Sequence, residues 1–137
     1  AGVNSPALSQ GRSFRENLKG NTPVDWRKSM YYRYWTHHSI RPAHFGIRND
    51  RYKLMFLYGD PLTMTGSEKQ PTTPSWEFYD LQRDPHENHN AYNDPAYADI
   101  IQEMKQELLR LREEYKDTDA DSERMQEILK EQLQEIR

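Results

Sequence analysis

The alternation of hydrophobic and polar residues predicts strands in the first two thirds of the chain and helices in the last third. Strand-like patterns occupy residues 29–36, 44–48, 52–58 and 75–81. In the second of these, Phe45 and Ile47 share one face, while His44, Gly46 and Arg48 share the other. Turn-forming residues follow at positions 49 and 50, so the second and third strands are predicted to form an antiparallel hairpin.

Apolar residues recur every three or four positions near the end of the chain and predict two amphipathic helices. The first is predicted to be capped by Asn93 or Asp94, with Pro95 in its first turn, and to run to about residue 115. After a polar break at residues 116–121, Ser122 is predicted to cap the second. Its apolar stripe is Met125, Ile128, Leu129, Leu133 and Ile136. A short helix is predicted over residues 13–19, with Ser13 and Glu16 as a capping box and Gly20 as its stop.

Composition changes this picture in one respect. Hydrophobic residues make up 34% of the 137 residues, whereas aromatic residues reach 12%. A chain with many large aromatics and few aliphatics suggests that part of its surface packs against a partner, and we expect it to be a piece of a longer protein. Cysteine is absent, which excludes disulfides and thiolate metal sites. No apolar run approaches the about 18 residues of a membrane span.

Charge is unevenly distributed and draws attention to one basic, aromatic cluster. The first 58 residues hold 10 Lys and Arg against 3 Asp and Glu, although the whole chain has a net charge of -3. The basic members are Arg33, His37, His38, Arg41, His44, Arg48 and Lys53, and they lie among Tyr31, Tyr32, Tyr34, Trp35 and Phe45. Guanidinium forks and aromatic faces suit a sulfated or phosphorylated glycan or a single-stranded nucleic acid. A solvated basic face explains the residues equally well.

The sequence offers no nucleophile and no convincing metal site. It has no nucleophile elbow and no phosphate-binding glycine loop. The three histidines at 37, 38 and 44 have no carboxylate nearby to complete a ligand set. The polar run at residues 84–90 is interpreted as a turn, in which Asp and Asn side chains bind local backbone groups. We therefore predict no catalytic residue and no metal ligand in this chain.

The order of the motifs, however, resembles a known family. The motifs are Gln10-Gly11-Arg12-Ser13, residues 26–35, His44-Phe45-Gly46-Ile47-Arg48, Tyr52-Lys53-Leu54, Trp76-Glu77-Phe78-Tyr79-Asp80-Leu81, Asp84-Pro85-x-Glu87-x-x-Asn90 and Pro95-x-Tyr97. Over residues 1–115 this set resembles the C-terminal subdomain of type I, formylglycine-dependent sulfatases. The similarity is greatest to the branch that acts on glycosaminoglycan or mucin-type sugars, which includes N-acetylglucosamine-6-sulfatases and heparan sulfatases.

The resemblance implies an α+β fold, in which a four-stranded antiparallel sheet packs against a long C-terminal helix, as in the small subdomain of alkaline phosphatase-like sulfatases. It divides the chain into an N-terminal segment (1–28), the sulfatase subdomain (29–115) and an extra helical tail (116–137). The tail could pack on a missing domain, self-associate or lie in solvent. The formylglycine and the calcium site would belong to a large catalytic domain, because this chain lacks the corresponding signatures.

The resemblance also implies substrate-binding residues and partners. His38 and His44 match a His-x-x-x-x-x-His pattern of similar glycan sulfatases, and with Arg41 they are predicted to meet the hydroxyls or the sulfate of the sugar. Arg48 and Lys53 are interpreted as ion-pair or surface groups. The expected partners are the catalytic domain of the same sulfatase and a sulfated glycan, with neither nucleic acid nor membrane. A periplasmic, secreted or lysosomal location follows from the resemblance alone.

Two other functions stay open on the sequence. The chain could be a non-catalytic module that binds sulfated or other anionic glycans through the basic sheet, or a structural piece without a ligand. Salt-sensitive glycan binding by the isolated chain would favour the binding module.

Overall fold

Four strands form one antiparallel sheet whose spatial order, β1-β2-β3-β4, is also the order along the chain. The computed structural model describes residues 6–132. The strands are β1 (Met30–Tyr34), β2 (His44–Arg48), β3 (Tyr52–Leu57) and β4 (Ser75–Asp80), which confirms all four predicted strands. The predicted hairpin joins β2 to β3, and its turn is held by the Asn49 Oδ1, which accepts hydrogen bonds from the backbone N–H groups of residues 51 and 52.

Three helices accompany the sheet: α1 (Arg15–Leu18), α2 (Ala98–Glu114) and α3 (Glu123–Gln132). A 3₁₀ turn, Pro95–Tyr97, precedes α2, and the Asp94 side chain caps it by accepting from Ala96 N–H at 2.9 Å. Ser122 caps α3 as predicted, accepting from Met125 N–H at 3.2 Å. The predicted stripe residues Leu133 and Ile136 lie outside the described residues. Within residues 6–132 no helix has the length and apolar character needed to cross a membrane.

The predicted capping box at the start of α1 is wrong. Ser13 Oγ accepts only a long bond, 3.4 Å, from Arg15 N–H, and the Glu16 carboxylate instead contacts the Lys19 ammonium at 2.9 Å. The helix has a single turn and buries no residue, so no tertiary packing supports the cap. The predicted stop is confirmed, because Gly20 follows with a φ of 82°.

The core lies between one face of the sheet and the two long helices. Both helices contribute to a single hydrophobic cluster, and α3 is buried through Met125, Ile128 and Leu129. The sheet contributes Phe45, Ile47, Leu54, Phe56, Trp76 and Phe78, and α2 contributes Ile101, Met104, Leu108 and Leu111. The predicted α+β architecture is therefore confirmed. The described part of the tail packs on this core, an arrangement the sequence analysis did not consider.

Two buried arginines connect the sheet to the segment between α2 and α3. Arg33, on the inner face of β1, has a side chain 3% exposed and contacts Asp117 at 2.6 Å and Asp119 at 2.8 Å. Arg112, from the last turn of α2, shares the same Asp119 at 2.5 Å, and the Tyr31 hydroxyl donates to Asp117. We call these five residues the arginine–aspartate network. It corrects the expectation that Arg33 is part of an anion-facing surface.

The buried carboxylate of Asp80, at the end of β4, allows a prediction of how the free energy of unfolding changes in acid. Asp80 is buried, accepts two hydrogen bonds from the Arg51 guanidinium at 2.9 and 3.2 Å, and accepts one from the Tyr97 hydroxyl. The Arg51 hydrogen bonds are the main reason why the pKa of Asp80 falls from 3.8 to about 2. Because the folded state prefers the ionised form, the stabilisation is complete above pH 4 and is lost as the pH falls towards 2.

This predicts that wild type and Asp80→Asn differ in their free energy of unfolding at pH 6, and that the difference shrinks between about pH 4 and pH 2. Urea denaturation across this range measures it. Two parallel curves would contradict the assignment of the acid-labile stabilisation to Asp80.

Candidate functional site

The three residues predicted to bind substrate lie on the link between β1 and β2 and at the start of β2. His38 and Arg41 form an isolated antiparallel bridge, in which Arg41 N–H donates to the His38 carbonyl at 2.9 Å and His38 N–H donates to the Arg41 carbonyl at 3.2 Å. His44 begins β2 and pairs across the sheet with Tyr34, the last residue of β1. The bridge and the sheet register thus bring the predicted residues to one corner of the sheet.

The Tyr34 ring is the common contact of Arg41 and His44. The Arg41 guanidinium carbon lies 4.8 Å from the ring centroid, and the His44 imidazole stacks on the ring at 5.5 Å with an interplanar angle of 28°. Cation–π contact holds a guanidinium in place while leaving its N–H groups directed outward. We call Tyr34, Arg41 and His44 the candidate site.

The Arg41 and His44 side chains of the candidate site keep donors or acceptors for a ligand. His44 Nδ1 lies 2.8 Å from the Pro42 carbonyl, so it carries the proton and donates to that oxygen. Within residues 6–132, His44 Nε2 has no hydrogen-bond partner and Arg41 forms no ion pair. A planar guanidinium beside a free imidazole nitrogen can bind a sulfate oxygen and a sugar hydroxyl at adjacent positions.

His38 is differently placed from the other two. Its Nδ1 accepts from Ile40 N–H at 3.3 Å, and its Nε2 lies 2.9 Å from the Glu68 carboxylate. Both ring nitrogens are therefore engaged within the chain, and His38 could reach a ligand only by exchanging Glu68 for it. Glu68 was not among the predicted site residues, because its loop carries no recognisable motif.

The remaining members of the basic cluster do not form one continuous surface. His37 is fully buried, with Nε2 donating to the Gln70 carbonyl at 3.0 Å. Lys53 forms an ion pair with Glu87, and Arg48 is exposed, as predicted for both. The cluster is thus divided between buried structural groups and a smaller exposed set.

The polar run at residues 84–90 is a turn, as predicted. Asp84 accepts from His89 N–H at 2.8 Å, and hydrogen bonds from the backbone, that of His89 first, lower the pKa of Asp84. Asn90 closes the end of the turn onto β4, accepting from Phe78 N–H and donating to the Trp76 carbonyl, both at 3.0 Å. Residues 6–132 contain no group of three or more His, Asp or Glu placed to hold a metal ion.

Comparison with known proteins gives one family. The family model for the C-terminal region of N-sulphoglucosamine sulphohydrolase matches residues 1–114. The N-acetylglucosamine-6-O-sulfatase of Bacteroides thetaiotaomicron is 36% identical over 126 residues, which is 88% of this chain and 20% of that protein. A multifunctional alkaline phosphatase superfamily protein of Trinickia caryophylli is 26% identical over 118 residues, covering 81% of this chain and 21% of that protein.

A solved structure agrees with the sequence matches. BT4656, in complex with its substrate D-glucosamine-2-N,6-O-disulfate, superposes with a TM-score of 0.72 at 33% identity, over 89% of this chain and 23% of that one. The chain therefore spans about a fifth of the length of the curated relatives it matches.

Proposed function

Because the chain belongs to the N-sulphoglucosamine sulphohydrolase C-terminal family, we propose that it is the C-terminal subdomain of a sulfatase that hydrolyses sulfate esters on glycans of the glycosaminoglycan or mucin type. In this proposal the subdomain contributes sugar-recognising residues to an active site whose catalytic groups lie in a separate domain of the same protein. The relative named for N-acetylglucosamine 6-O-sulfate and the structure that holds a sulfated glucosamine support this class of substrate.

The candidate site carries the proposal. Arg41 and His44 contact the same tyrosine ring. Within residues 6–132 the exposed Arg41 side chain forms no ion pair, and His44 Nε2 has no hydrogen-bond partner. In the proposed complex the Arg41 fork binds the sulfate or a hydroxyl, and His44 Nε2 binds a neighbouring hydroxyl. In this proposal His38 keeps Glu68 on its Nε2 and contributes to the site by supporting the turn that carries Arg41.

Among residues 6–132 the carboxylates form no site that fits a calcium ion. Three of the buried or half-buried ones are held by arginines at 3.0 Å or less: Asp60 by Arg124, Asp80 by Arg51, and Asp119 by Arg33. A carboxylate neutralised by a guanidinium is a poor oxygen ligand for a hard cation. We therefore propose that calcium and formylglycine act in the catalytic domain.

The test is His44→Ala in the full-length protein that carries this chain, assayed on N-acetylglucosamine 6-sulfate. Loss of one hydrogen bond to the sugar or sulfate should lower kcat/KM by about tenfold to a hundredfold. Arg48→Ala is the matched control, since Arg48 lies on the same strand and the same face but outside the candidate site, and we expect its kcat/KM to stay within about twofold of wild type.

Unchanged kinetics for His44→Ala would remove His44 from substrate recognition. Absence of sulfatase activity in the wild-type protein, together with salt-sensitive binding of sulfated glycans by it, would favour the non-catalytic binding module instead.

A further inference from the structure

The loop between β3 and β4 folds back onto the link that carries the candidate site. Gly59 N–H donates to the Ala43 carbonyl at 3.0 Å, and Glu68 N–H donates to the His37 carbonyl at 2.9 Å. In return, His37 donates its backbone N–H to Ser67 Oγ at 2.9 Å. The imidazole of His37 adds the bond to Gln70 described above. Hydrogen bonds made by the backbone and the imidazole of the buried His37 therefore join the loop to the link.

Glu68 is the member of this loop that reaches the candidate site's own turn. One carboxylate oxygen lies 2.9 Å from His38 Nε2, and the other accepts from Ser39 N–H at 2.7 Å. The Ser39 hydrogen bond and the nearby His38 lower the pKa of Glu68, so it is ionised at neutral pH. Both oxygens are thus used to hold residues 38 and 39.

Holding these residues fixes Arg41 in turn. The His38–Arg41 bridge closes a four-residue turn, and the Arg41 side chain leaves this turn to lie over Tyr34. If Glu68 no longer binds residues 38 and 39, the His38 side of the bridge is free to move. The Arg41 guanidinium is then no longer held in one direction. A flexible exposed arginine must then be ordered on binding, which weakens the binding of a ligand.

We propose that Glu68 is a positioning residue of the candidate site: through His38 and Ser39 it holds the turn that directs Arg41 towards the glycan. This inference rests on the proposed function. It assigns a role to the loop at residues 59–74, which would then influence substrate affinity without contacting the substrate. Since Arg41 binds the ground state and the transition state alike, Glu68 acts on KM rather than on kcat.

The experiment compares Glu68→Ala, Glu68→Gln and Arg41→Ala in the full-length protein, with N-acetylglucosamine 6-sulfate as substrate. We expect Glu68→Ala to raise KM about tenfold with kcat within about twofold. Glu68→Gln keeps one acceptor oxygen, which can accept from Ser39 N–H or from His38 Nε2–H but not from both, so its KM should lie between those of wild type and Glu68→Ala. Glu103→Ala, an exposed glutamate on α2, is the control and should match wild type.

Hydrogen exchange supplies a readout that does not depend on activity. In Glu68→Ala the Arg41 amide, which closes the turn, should exchange at least about tenfold faster, while amides of the β2–β3 hairpin keep their rates. A general loss of protection would show a merely structural role and overturn the inference.

The kinetic outcomes separate the two proposals. If Arg41→Ala raises KM and Glu68→Ala does not, the positioning role is wrong and the proposed site stands. If Arg41→Ala and His44→Ala both leave KM and kcat unchanged, the proposed site is wrong and the inference fails with it.

Discussion

Replacing Arg33 by methionine is expected to lower the free energy of unfolding by about 3–5 kcal/mol. The Arg33 side chain is 3% exposed and its guanidinium binds both Asp117 and Asp119. Methionine fills a similar volume but leaves these carboxylates facing only Arg112 and the Tyr31 hydroxyl. The loss of stability therefore comes from buried carboxylates that lack sufficient positive charge nearby, and not from a cavity. Guanidinium chloride denaturation measures it.

Arg110→Met is the matched control for this experiment. Arg110 also contacts two carboxylates, those of Glu107 and Glu114, at 2.7 Å each, but its side chain is 57% exposed. An exposed arginine with two ion pairs should contribute less than about 1 kcal/mol. Equal losses for the two variants would contradict the view that burial, rather than the number of ion pairs, makes Arg33 important.

A double-mutant cycle of Arg33 with Asp119 should give a coupling of at least about 1 kcal/mol.

Gly46→Ala is expected to destabilise the chain by about 3 kcal/mol, because the middle of the sheet has no space for a methyl group. A Cβ at this position would lie 2.5 Å from the Leu54 carbonyl oxygen on the neighbouring strand and 2.9 Å from the Tyr32 hydroxyl. The tyrosine could rotate away, but the carbonyl belongs to the backbone of β3. The sheet itself must therefore shift, and the change in unfolding free energy by urea denaturation reports the cost.

Two variants test this explanation. Gly11→Ala adds the same methyl group at an exposed position with no atom closer than 3.7 Å, and its stability should change by less than about 0.5 kcal/mol. Combining Gly46→Ala with Tyr32→Phe removes the contact with the hydroxyl only. Recovery of full stability in that double variant would show that the side chain, and not the β3 backbone, causes the clash.

The strands and long helices could be predicted because their signals are local. The period-two pattern of β2 and the turn at Asn49 lie within a few residues of one another, as do the Asp94 and Ser122 caps and the apolar stripes that follow them. The capping box of α1 was an equally local signal, but a single turn without buried residues gave it nothing to stabilise. Local patterns therefore sufficed where tertiary packing agreed with them.

The division of the basic cluster could not be predicted, because it depends on partners that are distant in sequence. Arg33 differs from an exposed strand arginine only through its contacts with Asp117 and Asp119, which are distant in the sequence. His38 likewise is paired only because Glu68, in the loop between β3 and β4, contacts it. The sequence gives the residue types but does not show which of them form ion pairs or hydrogen bonds with one another. Motif resemblance selected His38, Arg41 and His44 from the cluster; Arg41 and His44 lie against the same tyrosine ring, whereas His38 is paired with Glu68.

The arginine–aspartate network also bears on when the chain can fold during synthesis. The carboxylates that neutralise Arg33 follow it by 84 and 86 residues, so they leave the ribosome long after the four strands have been made. Until then Arg33 has no counter-charge on the inner face of β1, and burying that face would cost several kcal/mol. The sheet can therefore close its core only after the residues beyond α2 have emerged, which makes the folding of this subdomain a late event on the nascent chain.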